Sequence, residues 1–311
     1  MISLLRRVPL GVLVCLLALG VTSADAGNAP HNQAGTTGAS FLKIGVGARP
    51  VGLGGAYTAV SNDANSVYWN PAGLTRFNGA HISLMHNKWF QGINYEFFGL
   101  AYGDSASSGF AFGLTFLWMD DIPVTTFSDR LGTSGNTFTS RDLAFSFAYA
   151  HQVFDIASIG VSLKRIRSSL AGISATATAF DFGLLVAPPP VPGLTIGATV
   201  QNVGTKLKFV KDGDRLPVVF KVGTAYAYRQ MALLSVDISK PIDNRVAVSV
   251  GGEFVLMKTL ALRGGYNSTS DLDNGLMGGA GVKVKRIAID YAFVPYGVLG
   301  NTHRISAMYR F

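Results

Sequence analysis

Residues 41–76 read FLKIGVGARPVGLGGAYTAVSNDANSVYWNPAGLTR, and this stretch decides the predicted fold. Its glycine-rich start is followed by two patterns typical of short helical turns, Leu53–Val60 and Asp63–Trp69. Pro71 ends the second turn, because a residue that precedes a proline is disfavoured in the α region. Asn70 then caps a last short helical piece that has Pro71 at its first position, where a missing N–H costs nothing.

The rest of the chain is predicted to form strands. After residue 76, apolar side chains alternate with small or polar ones in segments of about 9–12 residues, the length that a tilted membrane strand needs. We count fourteen such segments. A helical segment ahead of a long run of strands predicts a plug inside a closed barrel. The alternation assigns Phe112, Phe116, Phe145 and Phe182 to the lipid side, and Ser146, Asp181 and Glu253 to the lumen.

The connections between the strands separate a barrel from a soluble sandwich, which shows the same alternation. Longer polar connections alternate with tight turns along the chain, as in outer-membrane barrels. The first set contains 88–92, 120–140, 168–173, 204–217, 240–244, 267–275 and 295–301. The second set contains 104–108, 152–155, 188–192, 229–230, 257–258 and 285–286. With an even number of strands, the first and the last strand end on the periplasmic side.

The composition also favours a membrane barrel. Hydrophobic residues make up 48% of the chain and charged residues only 14%. Beyond residue 26, however, no run of apolar residues reaches the length of about 18 that a spanning helix needs. A closed barrel, in which neighbouring strands satisfy every backbone group, is the remaining way to place such a chain in a bilayer.

The N-terminus is predicted to be a secretory signal peptide. Residues 1–7 are basic, residues 8–21 are apolar, and Ala24-Asp25-Ala26 is typical of a cleavage site. We therefore divide the chain into a signal peptide (1–26), a periplasmic leader with the plug (27–76) and a transmembrane barrel (77–311). The protein is expected in the outer membrane. The only cysteine, Cys15, lies in the signal peptide, so no disulfide or thiol chemistry is expected.

No residue pattern predicts an enzyme. The five histidines are dispersed and do not have the spacing of a metal site, and no nucleophile elbow is present. Residues 271–275 have the start of a calcium loop without its later glutamate, so a polar turn is favoured. We therefore predict no catalytic residues, no metal and no cofactor. The net charge of +8 is not concentrated in a basic and aromatic cluster, which favours contact with anionic lipid over nucleic acid.

The last strand ends the chain on an aromatic residue. Ile305, Ala307, Tyr309 and Phe311 share one face. This ending resembles the signal that the barrel assembly machinery reads, so Tyr309 and Phe311 are assigned to assembly.

The lumen leaves two interpretations open. Charges such as Lys164, Asp237 and Arg263 are in phase with the small, inward residues, and they either fix the plug or gate a substrate. The apolar residues of the plug, which include Tyr57 and Trp69, either line a hydrophobic site or pack against the wall.

Three stretches carry a family resemblance. They are residues 45–59 with Asn70-Pro71-Ala72-Gly73-Leu74, residues 207–217 (LKFVKDGDRLP), and residues 290–311 (DYAFVPYGVLGNTHRISAMYRF). Together they resemble outer-membrane proteins of the PorV/PorQ type, within the wider group of barrels similar to the fatty-acid channel FadL. The resemblance implies an all-β, transmembrane barrel with a helical plug that contains the Asn-Pro-Ala piece.

The resemblance implies two functions from different classes. In the first, the protein is a partner or shuttle barrel of type IX-like secretion and binds a translocon and secreted client proteins. Phe127 and Phe209, in the two longest loops, are then the expected partner contacts, unless these loops fold inward as a lid. In the second, the protein is a FadL-like channel for long-chain fatty acids or other small hydrophobic compounds. The plug is then the gate, with Tyr57, Trp69, Asn70 and Pro71 as its expected residues.

Overall fold

The computed structural model describes residues 32–104, 107–269 and 274–311. These residues form a closed barrel of fourteen strands, in which β1 (Gly79–Lys88) pairs with β18 (Asn301–Arg310) to complete the cylinder. Every pairing in the barrel is antiparallel. The predicted strand number and architecture are therefore confirmed. The predicted signal peptide, residues 1–26, lies outside the described residues.

The other barrel strands follow in chain order. They are β2 (Ile93–Asp104), β3 (Ser108–Met119), β6 (Ser140–Phe154), β7 (Ala157–Leu170), β8 (Ile173–Val186), β9 (Leu194–Gly204), β12 (Val219–Tyr228), β13 (Ala232–Pro241), β14 (Ala247–Leu256), β15 (Leu260–Asn267), β16 (Leu276–Val284) and β17 (Ile287–Pro295). Four short strands form two hairpins outside the barrel, β4 (Ile122–Pro123) with β5 (Thr137–Phe138) and β10 (Leu207–Lys208) with β11 (Gly213–Asp214).

The two rims of the barrel differ in their connections, as predicted. One rim, called here the long-loop rim, carries the connections 89–92, 120–139, 171–172, 205–218, 242–246, 268–275 and 296–300. The opposite, short-turn rim carries the tight connections, together with the start of β1 and the end of β18. Residues 105–106 and 270–273, which belong to predicted connections, lie outside the described residues.

The wall alternates between an exposed and a buried face. Phe112, Phe145 and Phe182 are exposed on the outside, and Phe116 is partly exposed, whereas Asp181 is fully buried. Since the side chains of a strand point alternately to its two faces, the exposed series marks the lipid side and the buried series lines the lumen. The predicted phase of the strands is therefore confirmed.

The plug contains two short α-helices and two 3₁₀ segments. The 3₁₀ segments are Ser40–Lys43 and Pro71–Arg76, and the helices are α1 (Ala48–Gly52) and α2 (Ser66–Trp69). Two further 3₁₀ turns, Phe90–Gly92 and Gly297–Leu299, lie in the long-loop rim. Among the described residues, no helix is long and apolar enough to cross a membrane.

The predicted helical turn Leu53–Val60 is wrong. This stretch forms successive tight turns, and the first helix lies just before it at α1. The physical reason is that Gly54 and Gly55 both have a positive φ, of 70° and 76°, which no α-helix accommodates. The second predicted turn is shorter than expected, since only Ser66–Trp69 is helical.

The Asn70-Pro71 prediction is confirmed. The Asn70 side chain accepts a hydrogen bond from the backbone N–H of Ala72 at 3.1 Å, and Pro71 is the first residue of the 3₁₀ segment that follows. The side chain thereby satisfies a donor at the start of the segment that has no partner within it.

The position of the leader differs from the prediction. Its described part, residues 32–38, was expected on the same side as the ends of the first and last strands. Instead, Thr37 pairs with Arg215, and Gly38 N donates to Arg215 O at 2.9 Å, in a connection of the long-loop rim. The leader and the strand ends therefore lie at opposite rims, because the plug between them runs through the lumen.

Candidate functional site

The plug crosses the whole lumen. At the long-loop rim, the segment 37–44, called here the strap, contacts the connections 205–218 and 242–246. At the other end, the Thr75 hydroxyl donates to Ser158 Oγ at 2.8 Å, next to the short-turn rim. The segment therefore runs through the lumen from one rim to the other.

Arg49 is the centre of a buried ion network between the plug and the wall. Its Nε and Nη2 donate to the two oxygens of Glu253 at 2.9 and 3.0 Å, and Nη1 donates to the Tyr57 hydroxyl at 3.0 Å. Arg263 donates to Glu253 at 2.6 Å and to Asp290 at 2.7 Å. The network thus joins α1 to three strands of the wall, and the bidentate Arg49–Glu253 geometry fixes the orientation of both groups.

Two other wall residues hold the plug through its backbone. Asp237 Oδ2 accepts hydrogen bonds from the N–H groups of Tyr57 and Thr58 at 3.1 and 2.9 Å. Gln201 Nε2 donates to the carbonyl oxygens of Tyr68 and Trp69 at 2.6 and 3.1 Å. The turns of the plug leave some backbone N–H and C=O groups without hydrogen bonds inside the plug. Side chains of the barrel wall supply hydrogen bonds to these groups.

Glycines on the inner face of the wall allow the plug to approach closely. At eight of them, an added Cβ would lie within 3.0 Å of a plug atom. They are Gly103, Gly109, Gly113, Gly160, Gly183, Gly197, Gly251 and Gly265. Real Cβ atoms do not come this close to other atoms, so a side chain at these positions requires the plug or the strand to move. The fit depends on glycine all around the lumen.

The four predicted gate residues lie together in the part of the plug that follows the strap, residues 45–77, called here the lower plug. Tyr57 and Asn70 are completely buried, Trp69 is almost so, and the rings of Tyr57 and Trp69 are 6.0 Å apart. Trp69 Nε1 donates to Val46 O at 2.9 Å, and Asn70 Nδ2 donates to Thr58 O at 2.8 Å. Pro71 is also buried. The structure thus shows these residues packed and hydrogen-bonded, and their role as a gate stays a prediction.

The long-loop end of the lumen has an apolar, aromatic lining that sequence analysis did not identify. Trp89 and Tyr296 directly follow β1 and β17, Leu117 lies near the end of β3, and all three pack on the buried core. The rings of Trp89 and Tyr296 are 6.0 Å apart, and Phe90 contacts both rings in edge-on geometry. The inward phase of residues 89, 117 and 296 was the available signal, but these positions lie just outside or at the ends of the predicted strands.

Asp243 holds both ends of the strap. Its Oδ2 accepts from the Thr37 hydroxyl at 2.7 Å and forms an ion pair with Lys43. Burial raises the pKa of the Asp243 carboxyl, but the hydrogen bonds from Lys43 and Thr37 outweigh it, so the pKa lies below its ordinary value. Phe41 and Leu42 of the strap lie between these two contacts, and their side chains are buried. One carboxylate therefore links both ends of the strap to connection 242–246, and the Tyr95 hydroxyl adds a hydrogen bond to Ile44 O at 3.0 Å.

The two loops predicted to bind a partner differ from each other. Phe127 is 92% exposed and Leu131 is 85% exposed, at the tip of connection 120–139. Asp129 orders this tip by accepting from Thr133 N at 2.9 Å and Ser134 N at 2.7 Å, and these bonds lower the pKa of its carboxyl to about 2.

Connection 205–218 folds partly inward. Leu207 and Leu216 are buried, and Phe209 is 36% exposed. Connection 120–139 thus projects into water, whereas connection 205–218 turns part of its apolar residues toward the barrel.

The C-terminal residues assigned to assembly lie at the short-turn rim. Phe311 is 60% exposed, and its ring contacts that of Tyr309 at 4.7 Å with the planes nearly perpendicular. Phe311 N donates to Ala80 O at 2.9 Å, which continues the pairing of β1 and β18. Both side chains project outward, where another protein has access to them.

The geometry defines a class of protein: a fourteen-strand, plug-bearing barrel of the outer-membrane type. A model of the family described as "Uncharacterised protein family (UPF0164)" matches residues 18–181, more than half of the chain. The chain therefore belongs to this family. A UPF0164 protein of Treponema pallidum (strain Nichols) is 26% identical over 211 residues, which cover 64% of this chain and 52% of that protein. The match thus spans about half the length of that relative.

Solved structures with the same fold include transport proteins. The CymD monoaromatic hydrocarbon channel has a TM-score of 0.65 and 14% identity, over 86% of this chain and 98% of its own. The Ralstonia pickettii toluene transporter TbuX has a TM-score of 0.65, 16% identity and the same coverage. A Pseudomonas aeruginosa FadL homologue has a TM-score of 0.54 and 14% identity, over 84% and 97%. At these identities the likeness shows the fold alone.

Proposed function

We propose that this protein is an outer-membrane conduit for small hydrophobic compounds, with its plug as the gate and no enzymatic step. The observation that carries the proposal is the mouth of the lumen. Trp89, Leu117 and Tyr296 present apolar and aromatic surface at the long-loop end and pack on the hydrophobic core, which includes Phe41 and Leu42 of the strap. The hydrocarbon channel and the toluene transporter with the same fold support this choice of substrate class.

The strap is the part of the plug that moves in this proposal. It is held by two loops, by the carboxylate of Asp243 and by a hydrogen bond from the Tyr95 hydroxyl to Ile44 O, whereas the lower plug is held by the ion network and by close packing on the wall. Gly45 and Gly47 flank the point where the strap enters the lumen, and Gly47 has a positive φ of 78°. A change of backbone direction there costs less than at a residue with a side chain.

Uptake into proteoliposomes tests the proposal. Vesicles that contain the purified protein are compared with protein-free vesicles for entry of radiolabelled toluene and of a long-chain fatty acid. We expect faster entry of at least one compound, and a several-fold loss in the Trp89→Ala/Tyr296→Ala variant. Tyr102→Ala/Phe110→Ala is the matched control, because this stacked aromatic pair lies on the outside of the wall. Equal entry in vesicles with and without protein contradicts the proposal.

A second candidate function is the PorV/PorQ-like partner barrel of a secretion system. The observation that favours it is the ordered tip of connection 120–139, which holds Phe127 and Leu131 in water. Exposed apolar side chains on an ordered loop often mark a protein contact. Its expected partners are a secretion translocon and secreted client proteins. If this function is correct, Phe127→Ser/Phe209→Ser abolishes capture of the translocon from the native host, and hydrophobic uptake is unchanged. Full capture by the folded double variant excludes these loops as the contact.

The proposed location is the outer membrane, reached through a cleaved signal peptide and the barrel assembly machinery. We expect the mature chain to begin after Ala26 and to fractionate with the outer membrane. Deletion of Phe311 removes the exposed terminal ring and is expected to reduce the amount of folded, heat-modifiable barrel. Unchanged amounts of folded barrel after this deletion contradict the assembly role.

A further inference from the structure

Three neighbouring strands are longer than a bilayer requires. Strands β6, β7 and β8 have 15, 14 and 14 residues, whereas about 9–11 residues suffice to span the hydrocarbon. Their apolar outward residues lie toward the short-turn rim, and on β7 they end at Leu163. The next outward residues of β7 are Arg165 and Arg167, both exposed. The edge of the lipid-facing band therefore falls at these two arginines.

The outward series changes from apolar to polar at the same level on β8, whereas on β6 it stays apolar. Arg165 and Arg167 are paired in register with Phe145 and Leu143 of β6 on one side. On the other side they face Thr178 and Thr176 of β8. Apolar residues thus border the arginines from β6, and hydroxyl groups border them from β8. An arginine at such an edge can lay its aliphatic stem on apolar surface while its guanidinium reaches the level of the headgroups.

The arginines are oriented and have no acidic partner. Arg165 donates to Thr178 Oγ1 at 2.9 Å and to Thr176 Oγ1 at 3.1 Å, and Arg167 donates to Ser174 Oγ at 3.5 Å. Within residues 32–104, 107–269 and 274–311, no carboxylate forms an ion pair with either side chain. Hydroxyl acceptors hold the guanidinium groups but leave their charge uncompensated.

We propose that Arg165 and Arg167 form a binding surface for the phosphate headgroup of an anionic membrane lipid. A guanidinium presents several N–H groups in one plane and binds phosphate oxygens in pairs. The position on the outer face of the wall, at the edge of the apolar band, favours a lipid as the source of the phosphate. A lipid bound here lays its acyl chains over Phe145 and Leu163 and its headgroup on the two arginines.

Arg141 differs from Arg165 and Arg167 because acidic residues lie near it. It lies on β6 at the same end of the sheet, paired with Ser169 of β7. It also shares a surface depression with Asp120 and Asp121. Nearby carboxylates oppose the binding of an anion, so Arg141 contributes less to the surface than the other two arginines.

Retention of lipid by the full-length protein tests the proposal. The protein is purified in micelles with equal amounts of phosphatidylglycerol and phosphatidylcholine, and native mass spectrometry counts each bound lipid. We expect Arg165→Gln/Arg167→Gln to lower the affinity for phosphatidylglycerol by about fivefold for each arginine, and to leave phosphatidylcholine unchanged. Arg141→Gln is expected to have a smaller effect, and Arg229→Gln, at the short-turn rim, none. Unchanged heat-modifiable migration verifies that each variant is folded.

Three results overturn the proposal. The first is equal retention of phosphatidylglycerol by wild type and the double variant. The second is an equal loss of both lipids, which indicates a damaged wall rather than a lost headgroup contact. The third is tight binding of inorganic phosphate alone to the wild type, measured by calorimetry, which shows that the arginines bind a free anion.

Discussion

The two ends of the plug are held in different ways. The lower plug, residues 45–77, has a bidentate ion pair with the wall, backbone hydrogen bonds to Asp237 and Gln201, and glycine contacts around the lumen. The strap, residues 37–44, is attached to two loops and to the carboxylate of Asp243, and Ile44 O accepts a hydrogen bond from the Tyr95 hydroxyl of the wall. Both parts bury apolar side chains, but only the lower plug is fixed to the wall by an ion network and by glycine contacts, and the strap has fewer polar attachments.

This difference separates stability from gating. Groups that are buried and paired on all sides contribute to the free energy of folding, and their removal is costly. Local opening, in contrast, uses segments with few buried partners. We therefore expect changes in the lower plug to destabilise the barrel, and changes in the strap to alter its opening.

The largest effect is expected for Glu253→Ala. The change leaves Arg49 without its main carboxylate partner and removes one of two from Arg263, in a buried site. The expected loss in the free energy of unfolding is about 3–5 kcal/mol, as for other broken buried pairs. Urea unfolding of the barrel in lipid vesicles measures it.

Glu96→Gln is the matched control for this experiment. Its ion pair with His86 is partly exposed on the outer wall, so a loss of at most about 1 kcal/mol is expected. Similar losses for both variants would show that the Arg49 network is not a fixed part of the core.

A smaller effect is expected from a single methyl group at Gly265. Its Cβ would overlap Gly54 and lie 2.6 Å from the carbonyl carbon of Leu53, both in the lower plug. Gly265→Ala is expected to cost about 1–3 kcal/mol, as overpacking of a core does. The adjacent Gly264 has open space at its Cβ, so Gly264→Ala is expected to stay within about 0.5 kcal/mol of wild type. Urea unfolding compares the two, and equal stability of both variants contradicts close packing of plug on wall.

The smallest effect on stability, and the most local one, is expected for Asp243→Asn. The strap loses its charged acceptor, which is worth about 1 kcal/mol or roughly fivefold in the opening of the strap. Hydrogen exchange of the amides of Gly38, Leu42 and Ile44 measures this opening. Protection of the lower plug is expected to stay unchanged, and loss of protection along the whole plug would remove the distinction between its two parts.

Acid is expected to break the contact between the Asp243 carboxylate and the strap. The pKa of Asp243 is lowered in the folded protein, so its contribution is complete above the unfolded pKa of about 4 and is lost as the pH falls through the folded value. The strap is therefore expected to stay protected at neutral pH and to open only below about pH 4, after correction for intrinsic exchange rates. Opening that begins at neutral pH would point to a group other than Asp243.

The barrel was predictable from the sequence because each strand carries its own evidence. Residues such as Phe145 and Asp181 reveal their side of the wall by their phase, and the alternation of loops and turns fixes the two rims. The Asn70 cap was equally local, since donor and acceptor are two residues apart. Patterns within one segment are sufficient for features of this kind.

The site was predictable only in part because it is built from distant residues. Arg49 and Glu253 are 204 residues apart, and Thr37 and Asp243 are 206 residues apart, so no local pattern links them. The misplaced helix has the same cause. Helical spacing favours Leu53–Val60, but the backbone at Gly54 follows the barrel wall, which a single segment does not reveal.

Two disulfide locks test most directly whether the strap, and not the lower plug, opens the lumen. The described residues contain no cysteine, so pairs can be introduced freely. Thr37→Cys/Arg215→Cys ties the strap to connection 205–218, since these residues are paired as in neighbouring strands, at a distance that a disulfide spans. Thr75→Cys/Ser158→Cys ties the lower plug to β7, where the two hydroxyl oxygens are 2.8 Å apart.

Toluene entry into proteoliposomes is measured for both locks, before and after reduction. We expect the strap lock to lower entry to the rate of protein-free vesicles and reduction to restore it, while the lower lock leaves entry at the wild-type rate. Undiminished entry with the oxidised strap lock, or a loss with the lower lock alone, would show that the strap is not the part that opens.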